Sequence, residues 1–149
     1  MAVIKSDAYG HHLENIVKDI QDLSDGFGVV RIDEAQKIRK LSNKKILLMQ
    51  GVYSKKDLNT SIENNFDLVV HNMNQFEIIK DANHYEGLWF KLNTGMNRLG
   101  FETNEFLEIY EQYLHDKKFT LMTHLASSNN TSSSSNESQF KIFEDISSK

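Results

Sequence analysis

Short apolar runs alternate with longer stretches of helical period along this chain. Ala2–Ile4 is a short apolar run, and Leu13, Ile16, Val17 and Ile20 then share one helical face. Asp25-Gly26 signals a turn, and Phe27–Val30 is apolar again. The pattern predicts a helix over Ile32–Leu41, with Asp33 and Glu34 placed to suit its dipole. It then predicts a strand over Ile46–Met49, a helix over Lys55–Asn64, a strand over Leu68–Val70 and a helix over Asn74–Lys80. A strand over Leu88–Leu92, a long amphipathic helix over Asn104–His115, a strand over Phe119–Thr123 and a helix over Asn136–Ile146 complete the series. Ser127–Ser138, rich in Ser and Asn, reads as a polar loop following a strand. Asn136 is expected to cap the last helix, with Gln139 completing a capping-box-like pair.

Six strand-then-helix units in succession make the fold class α/β. Parallel strands need a crossover, and the helices supply it. Continuous apolar strands suit a sheet covered on both faces, in a doubly wound or barrel arrangement. A (β/α)8 barrel needs roughly 250 residues, and the chain has 149. The expectation is therefore a partial, incomplete TIM-type barrel of about six units, with residues 1–149 forming one truncated domain.

Composition narrows the function classes. Hydrophobic residues are 39% and charged residues 26%, as in soluble globular domains. A net charge of −4 gives no support to a nucleic-acid partner. The absence of cysteine excludes disulfides and thiolate metal sites, and no metal site is expected. No apolar run approaches a membrane span and no secretion signal is evident, so no membrane partner and a cytoplasmic location are expected.

Candidate chemistry lies at strand ends. In VIKSDAYGHH, Lys5 follows the first strand and Tyr9 precedes Gly10. A desolvated lysine amine falls below its usual pKa of about 10.4 and can hold a carbonyl as a Schiff base. The aldehyde of pyridoxal phosphate is the best-known partner for that reaction. The Tyr9 hydroxyl can donate to a phosphate oxygen. In LWFKLNTGMNRLGF, a strand ends in Lys91, Thr94-Gly95 turns the chain, and Arg98 follows. An arginine there suits a substrate carboxylate. His124 ends the sixth strand, while His11 and His12 read as loop or cap residues.

VIKSDAYGHH, KLNTGMNRLGF and THLASSNN, in that order, resemble the alanine racemase family, and GFGVVRIDEAQKIRK resembles its second strand and helix. The resemblance implies a pyridoxal-phosphate-binding (β/α)8 barrel followed by a β-rich domain. It implies that Lys5 holds the cofactor covalently and moves the substrate Cα proton on one face. Tyr9 then binds the cofactor phosphate, and Arg98 lies near the substrate carboxylate and the cofactor ring oxygen. His124 stands behind the cofactor ring, and Lys91 matches a lysine that is often carbamylated. A carbamate would orient Arg98, whereas two bare cations would repel.

The implied activity is interconversion of L- and D-alanine for peptidoglycan supply, by a parent protein that is a homodimer. Three departures stand out. Asn93 occupies a usual aspartate position and His12 a usual glycine position. The arginine that pairs with the pyridine nitrogen and the opposite-face tyrosine base would lie beyond Lys149, so a 149-residue piece is expected to be inactive. The competing readings are a serine, lysine or broad-specificity racemase on the same scaffold, a one-domain pyridoxal-phosphate carrier, and an α/β domain with no cofactor.

Overall fold

The computed structural model describes residues 1–82 and 86–149. The six strands are β1 (Ala2–Val3), β2 (Gly26–Val29), β3 (Lys45–Leu48), β4 (Asp67–Val70), β5 (Leu88–Lys91) and β6 (Thr120–Met122). Every neighbouring pair is parallel, and the sheet order is β1-β2-β3-β4-β5-β6. Each crossover therefore returns to the adjacent strand. A doubly wound sheet reverses its order at a switch point; this one does not, and it is the wall of an incomplete barrel. The helices are α1 (Leu13–Ile20), α2 (Ile32–Arg39), α3 (Lys55–Glu63), α4 (Met73–Ile79), α5 (Thr103–Ile109) and α6 (Ser134–Ser147).

Strand alternation divides the apolar residues between two faces. Phe27, Val29, Ile46, Leu48, Leu68, Val70, Leu88 and Phe90 pack outward with Val17, Ile38, Leu58, Phe76 and Phe106 of the helices. Phe90 alone lies against the rings of Phe76, Phe101, Phe106 and Phe119 at 5.5–6.4 Å. The other face is concave and carries Val3, Asp67, Val69, Trp89 and Lys91. Asp67, Val69 and Lys91 are buried there, whereas Val3 at the β1 edge is 41% exposed. At the foot of this face Asp67 accepts a hydrogen bond from the Trp89 indole (2.8 Å) and pairs with Lys45 (3.0 Å). Beneath it, Arg39 donates to the carbonyls of Ser42, Lys44, Asn64 and Asn65, tying two loops together.

Two predicted elements change. The helix expected over Asn104–His115 is α-helical only to Ile109 and continues as a π-turn over Tyr110–Leu114. The loop expected over Ser127–Ser138 ends sooner, because α6 starts at Ser134 with Ser133 at its N-cap. Asn136 is therefore not a cap. It is a buried residue inside the helix, and its amide donates to the carbonyls of Ser127 and Asn130. Gln139 completes no capping box either, for a reason found at the site.

Candidate active site

Loops at the C-terminal ends of the strands collect the chemistry, as in complete barrels. Lys5 leaves β1 half-buried. The next four residues, Ser6, Asp7, Ala8 and Tyr9, have φ of 54–55°, a full turn of left-handed helix before Gly10. Left-handed backbone disfavours L-residues by about 1–2 kcal/mol each, so the turn needs outside support. Glu34 of α2 provides it. One carboxylate oxygen accepts from the Asp7 amide (3.2 Å), and the other from Val30 and Arg31 (3.4 and 3.2 Å). Asp7 in turn accepts from the Leu13 amide at 2.9 Å, capping α1 with a side chain from the strained turn. His12 is the N-cap residue, and its ring meets the Asp7 carboxylate at 3.5 Å. Tyr9 is 60% exposed.

The loop after β5 is pinched shut at its neck. The Asn93 amide donates to the Phe101 carbonyl (2.9 Å), and the Phe101 amide to the Lys91 carbonyl (2.8 Å). Gly100 sits in this neck with φ 132°, and a Cβ there would lie 2.5 Å from the Asn93 nitrogen. Only glycine fits. Asn93 organises the interior of the loop. Its oxygen accepts from Gly95 and Asn97, and its amide donates to Asn97 Oδ1 (2.9 Å) and Glu102 Oε1 (2.7 Å). The departure from aspartate thus has a local reason, because an aspartate could not donate to Glu102. Arg98 rides exposed on this loop.

Thr94 and Gln139 fasten the loop to the strand beyond it. The Thr123 hydroxyl donates to the Leu92 carbonyl (3.1 Å), so the Thr94 hydroxyl donates to Thr123 (2.7 Å) and accepts from Gln139 Nε2 (3.1 Å). The Gln139 amide also donates to the His124 carbonyl and accepts from the Ala126 amide. This buried glutamine joins three segments of the site, which is why it has no part in capping its own helix. His124 itself is exposed on the mouth.

His71, absent from the expected set, ends the run LVVH in the way that Lys91 ends LWFK. That polar residue at a strand end was the available signal. It is 5% exposed, and its amide donates to the side chain of Gln75, whose own amide holds the Gln50 carbonyl.

The electrostatics bring these residues together. Lys91 is 6% exposed, and burial followed by the Arg98 charge pushes its pKa down. Partial desolvation lowers the His124 pKa, and Lys91, Arg98 and Lys5 push it the same way. Burial lowers the His71 pKa, with Lys91 contributing, while backbone carbonyls at His71 and Gln50 oppose the shift. Among the described residues no carboxylate lies within ion-pair distance of Lys5, Lys91 or Arg98. A mouth lined by cations without acidic partners suits an anionic ligand, and a primary amine beside it suits an electrophilic carbon.

The family description that matches residues 1–149 is alanine racemase, N-terminal domain. An alanine racemase from Shewanella denitrificans is 35% identical over 98% of this chain and 43% of its own length. One from Mannheimia succiniciproducens is 41% identical over 77% of this chain and 33% of its own length. The chain therefore spans less than half the length of these relatives. Among solved structures, alanine racemase from Acinetobacter baumannii superposes with a TM-score of 0.87 at 31% identity, covering 99% of this chain and 43% of that one. The biosynthetic alanine racemase from Pseudomonas aeruginosa gives 0.87 at 27% identity, covering 98% and 42%. With the whole sequence matched and the barrel wall reproduced, the chain belongs to the alanine racemase N-terminal domain family.

Proposed function

We propose that this domain holds pyridoxal phosphate through Lys5 and serves the racemisation of alanine in the protein of which it forms part. The observation that carries the reading is the convergence of Lys5, Lys91, Arg98 and His124 on one mouth with no acid among them. The donor set fits the cofactor: a primary amine for its aldehyde, a phenol for its phosphate, and cations for its remaining negative charge. When bound, the cofactor is an electron sink that makes the Cα proton of an amino acid acidic.

The chain's own residues then divide the work. Lys5 is the covalent anchor, and its amine carries the proton on one face of the substrate. Tyr9 donates to the phosphate. Arg98 receives the substrate carboxylate, where its planar fork gives two parallel hydrogen bonds. His124, held toward its neutral form by desolvation and then by its cationic neighbours, would back the cofactor without adding another charge. Inversion at Cα requires a second proton-carrying group on the opposite face. That group belongs to the part of the relatives' length that this chain does not span, and in the family pattern it comes from the partner subunit of a homodimer.

Lys91 is the carbamylated residue in this reading. A buried, unpaired ammonium beside a guanidinium is unfavourable. The lone pair of the neutral amine attacks the carbon of carbon dioxide. The N–C bond forms, one C=O π pair moves to oxygen, and an N–H proton leaves to solvent. The product is an anion that Arg98 can face, and the repulsion between the two becomes an attraction.

The test is conversion of L-alanine to D-alanine by the complete reading frame, with serine and lysine as competing substrates. Conversion of alanine that Lys5→Ala abolishes is the expected result. Racemisation undiminished by that substitution, or a clear preference for another amino acid, would overturn the assignment.

A further inference from the structure

His71 is a buried imidazole whose Nε2 lacks a hydrogen-bond partner among the described residues. Asn72 caps α4, with Oδ1 accepting from the Gln75 amide at 3.0 Å. That bond orients its side chain, so it is the Asn72 amide nitrogen that faces His71 Nδ1 at 3.2 Å. A donor facing Nδ1 makes Nδ1 the acceptor, and the ring proton resides on Nε2. Nε2 is buried and, among the described residues, has no hydrogen-bond partner. A buried N–H left unsatisfied costs about 1–3 kcal/mol, and such groups in folded proteins ordinarily have a partner.

Register identifies where that partner belongs. β4 and β5 pair Leu68 with Leu88, Val69 with Trp89 and Val70 with Phe90. One step further places His71 beside Lys91, and alternation puts both on the concave face with Val69 and Trp89. The register neighbour of His71 is thus Lys91, a buried lysine whose charge acts on the imidazole ring. A lysine ammonium cannot accept from the imidazole N–H, whereas an anion on the lysine accepts from both the imidazole and Arg98.

We propose that His71 is a positioning residue for Lys91: its Nε2–H donates a hydrogen bond to an oxygen of the carbamate formed on that lysine. This rests on the reading of Lys91 given above and extends it to a residue on a different strand. Arg98 reaches the carbamate from an exposed loop, and His71 from the barrel wall. The pair fixes the anion between an exposed charge and a buried donor. The ring stays neutral while donating, which agrees with the downward push of burial on its pKa.

The experiment is a titration of the protein with 13C-labelled bicarbonate, read by carbon NMR of the carbamate, in wild type and the Lys91→Ala, His71→Leu and His71→Gln variants. The wild type should show a carbamate signal that Lys91→Ala lacks. His71→Leu should need about tenfold more bicarbonate for half-occupancy, the worth of one hydrogen bond to a charged acceptor. His71→Gln, whose amide N–H can reach the same place, should restore most of that affinity. Equal midpoints for wild type and His71→Leu would overturn the role of His71 while leaving the carbamate standing. No Lys91-dependent carbamate in wild type would overturn both. Should His71→Leu fail to fold, 15N-histidine NMR of wild type decides. The His71 Nε2 resonance should be protonated and should move on bicarbonate addition in wild type but not in Lys91→Ala; an unprotonated or unmoved Nε2 refutes the proposal.

Discussion

Glu34→Ala removes the one side chain that links α2 to the left-handed turn behind Lys5. Its two oxygens accept from the amides of Asp7, Val30 and Arg31 at 3.2–3.4 Å. These are long bonds, so each is worth about 1 kcal/mol net, and the sum is about 3 kcal/mol. The loss is not spread evenly. Ser6 to Tyr9 form four consecutive left-handed residues, and the Asp7 amide ties them to Glu34 of α2. Thermal unfolding should fall by about 6–12 °C, at roughly 2–4 °C per kcal/mol for a chain of this size. Amide exchange at Asp7 and Ala8 should accelerate more than at Val29. Glu34→Gln should recover only part, because its NH2 would face an amide donor. A melting temperature within about 2 °C of wild type, with Asp7 exchange unchanged, would refute the view that Glu34 sustains the turn.

Asn93→Asp replaces a donor to Glu102 with a carboxylate facing it. It should destabilise by about 1 kcal/mol at pH 7, and the deficit should close in acid as the pair takes up a proton; denaturant unfolding at both pH values checks this. Gly100→Ala forces a Cβ into the loop neck at a φ of 132°. A loss of about 3 kcal/mol or more is expected, with amide shifts reaching Arg98 in a heteronuclear NMR spectrum. For His71 the folded pKa lies below the unfolded value of about 6.5, because burial and Lys91 oppose protonation. The unfolded chain therefore takes up the proton first. The His71 contribution is complete above about pH 6.5 and is lost as pH falls below it, by at most about 1.4 kcal/mol per unit. The stability difference between wild type and His71→Gln should shrink from pH 7.5 to 5.5; a difference independent of pH would contradict it.

The strands and their order were legible because each is a short apolar run followed by a polar residue and a helical period. Lys5, Lys91 and His124 were singled out by the same mark, and Lys91 and Lys5 both act on the His124 ring. His71 carries that mark as well and was passed over, since LVVH reads as an ordinary strand end until burial and Lys91 are seen together. The left-handed turn was not legible. Ser6 to Tyr9 contain no glycine, and what sustains them is Glu34, distant in sequence and legible only as a dipole partner for its own helix. Asn136 and Gln139 match a helix-start signal locally, but both side chains are taken up by backbone brought near in the fold. Local patterns report local hydrogen bonds, and these two bonds are tertiary.

The central claim is that the Lys5 amine takes the cofactor aldehyde. The direct measurement is to mix the protein with pyridoxal phosphate, reduce with borohydride and map the label by peptide mass spectrometry. The label should fall on Lys5 at one equivalent, and the Lys5→Ala protein should take up no stoichiometric label. Label scattered over exposed lysines, with Lys5 unmodified, would contradict the account.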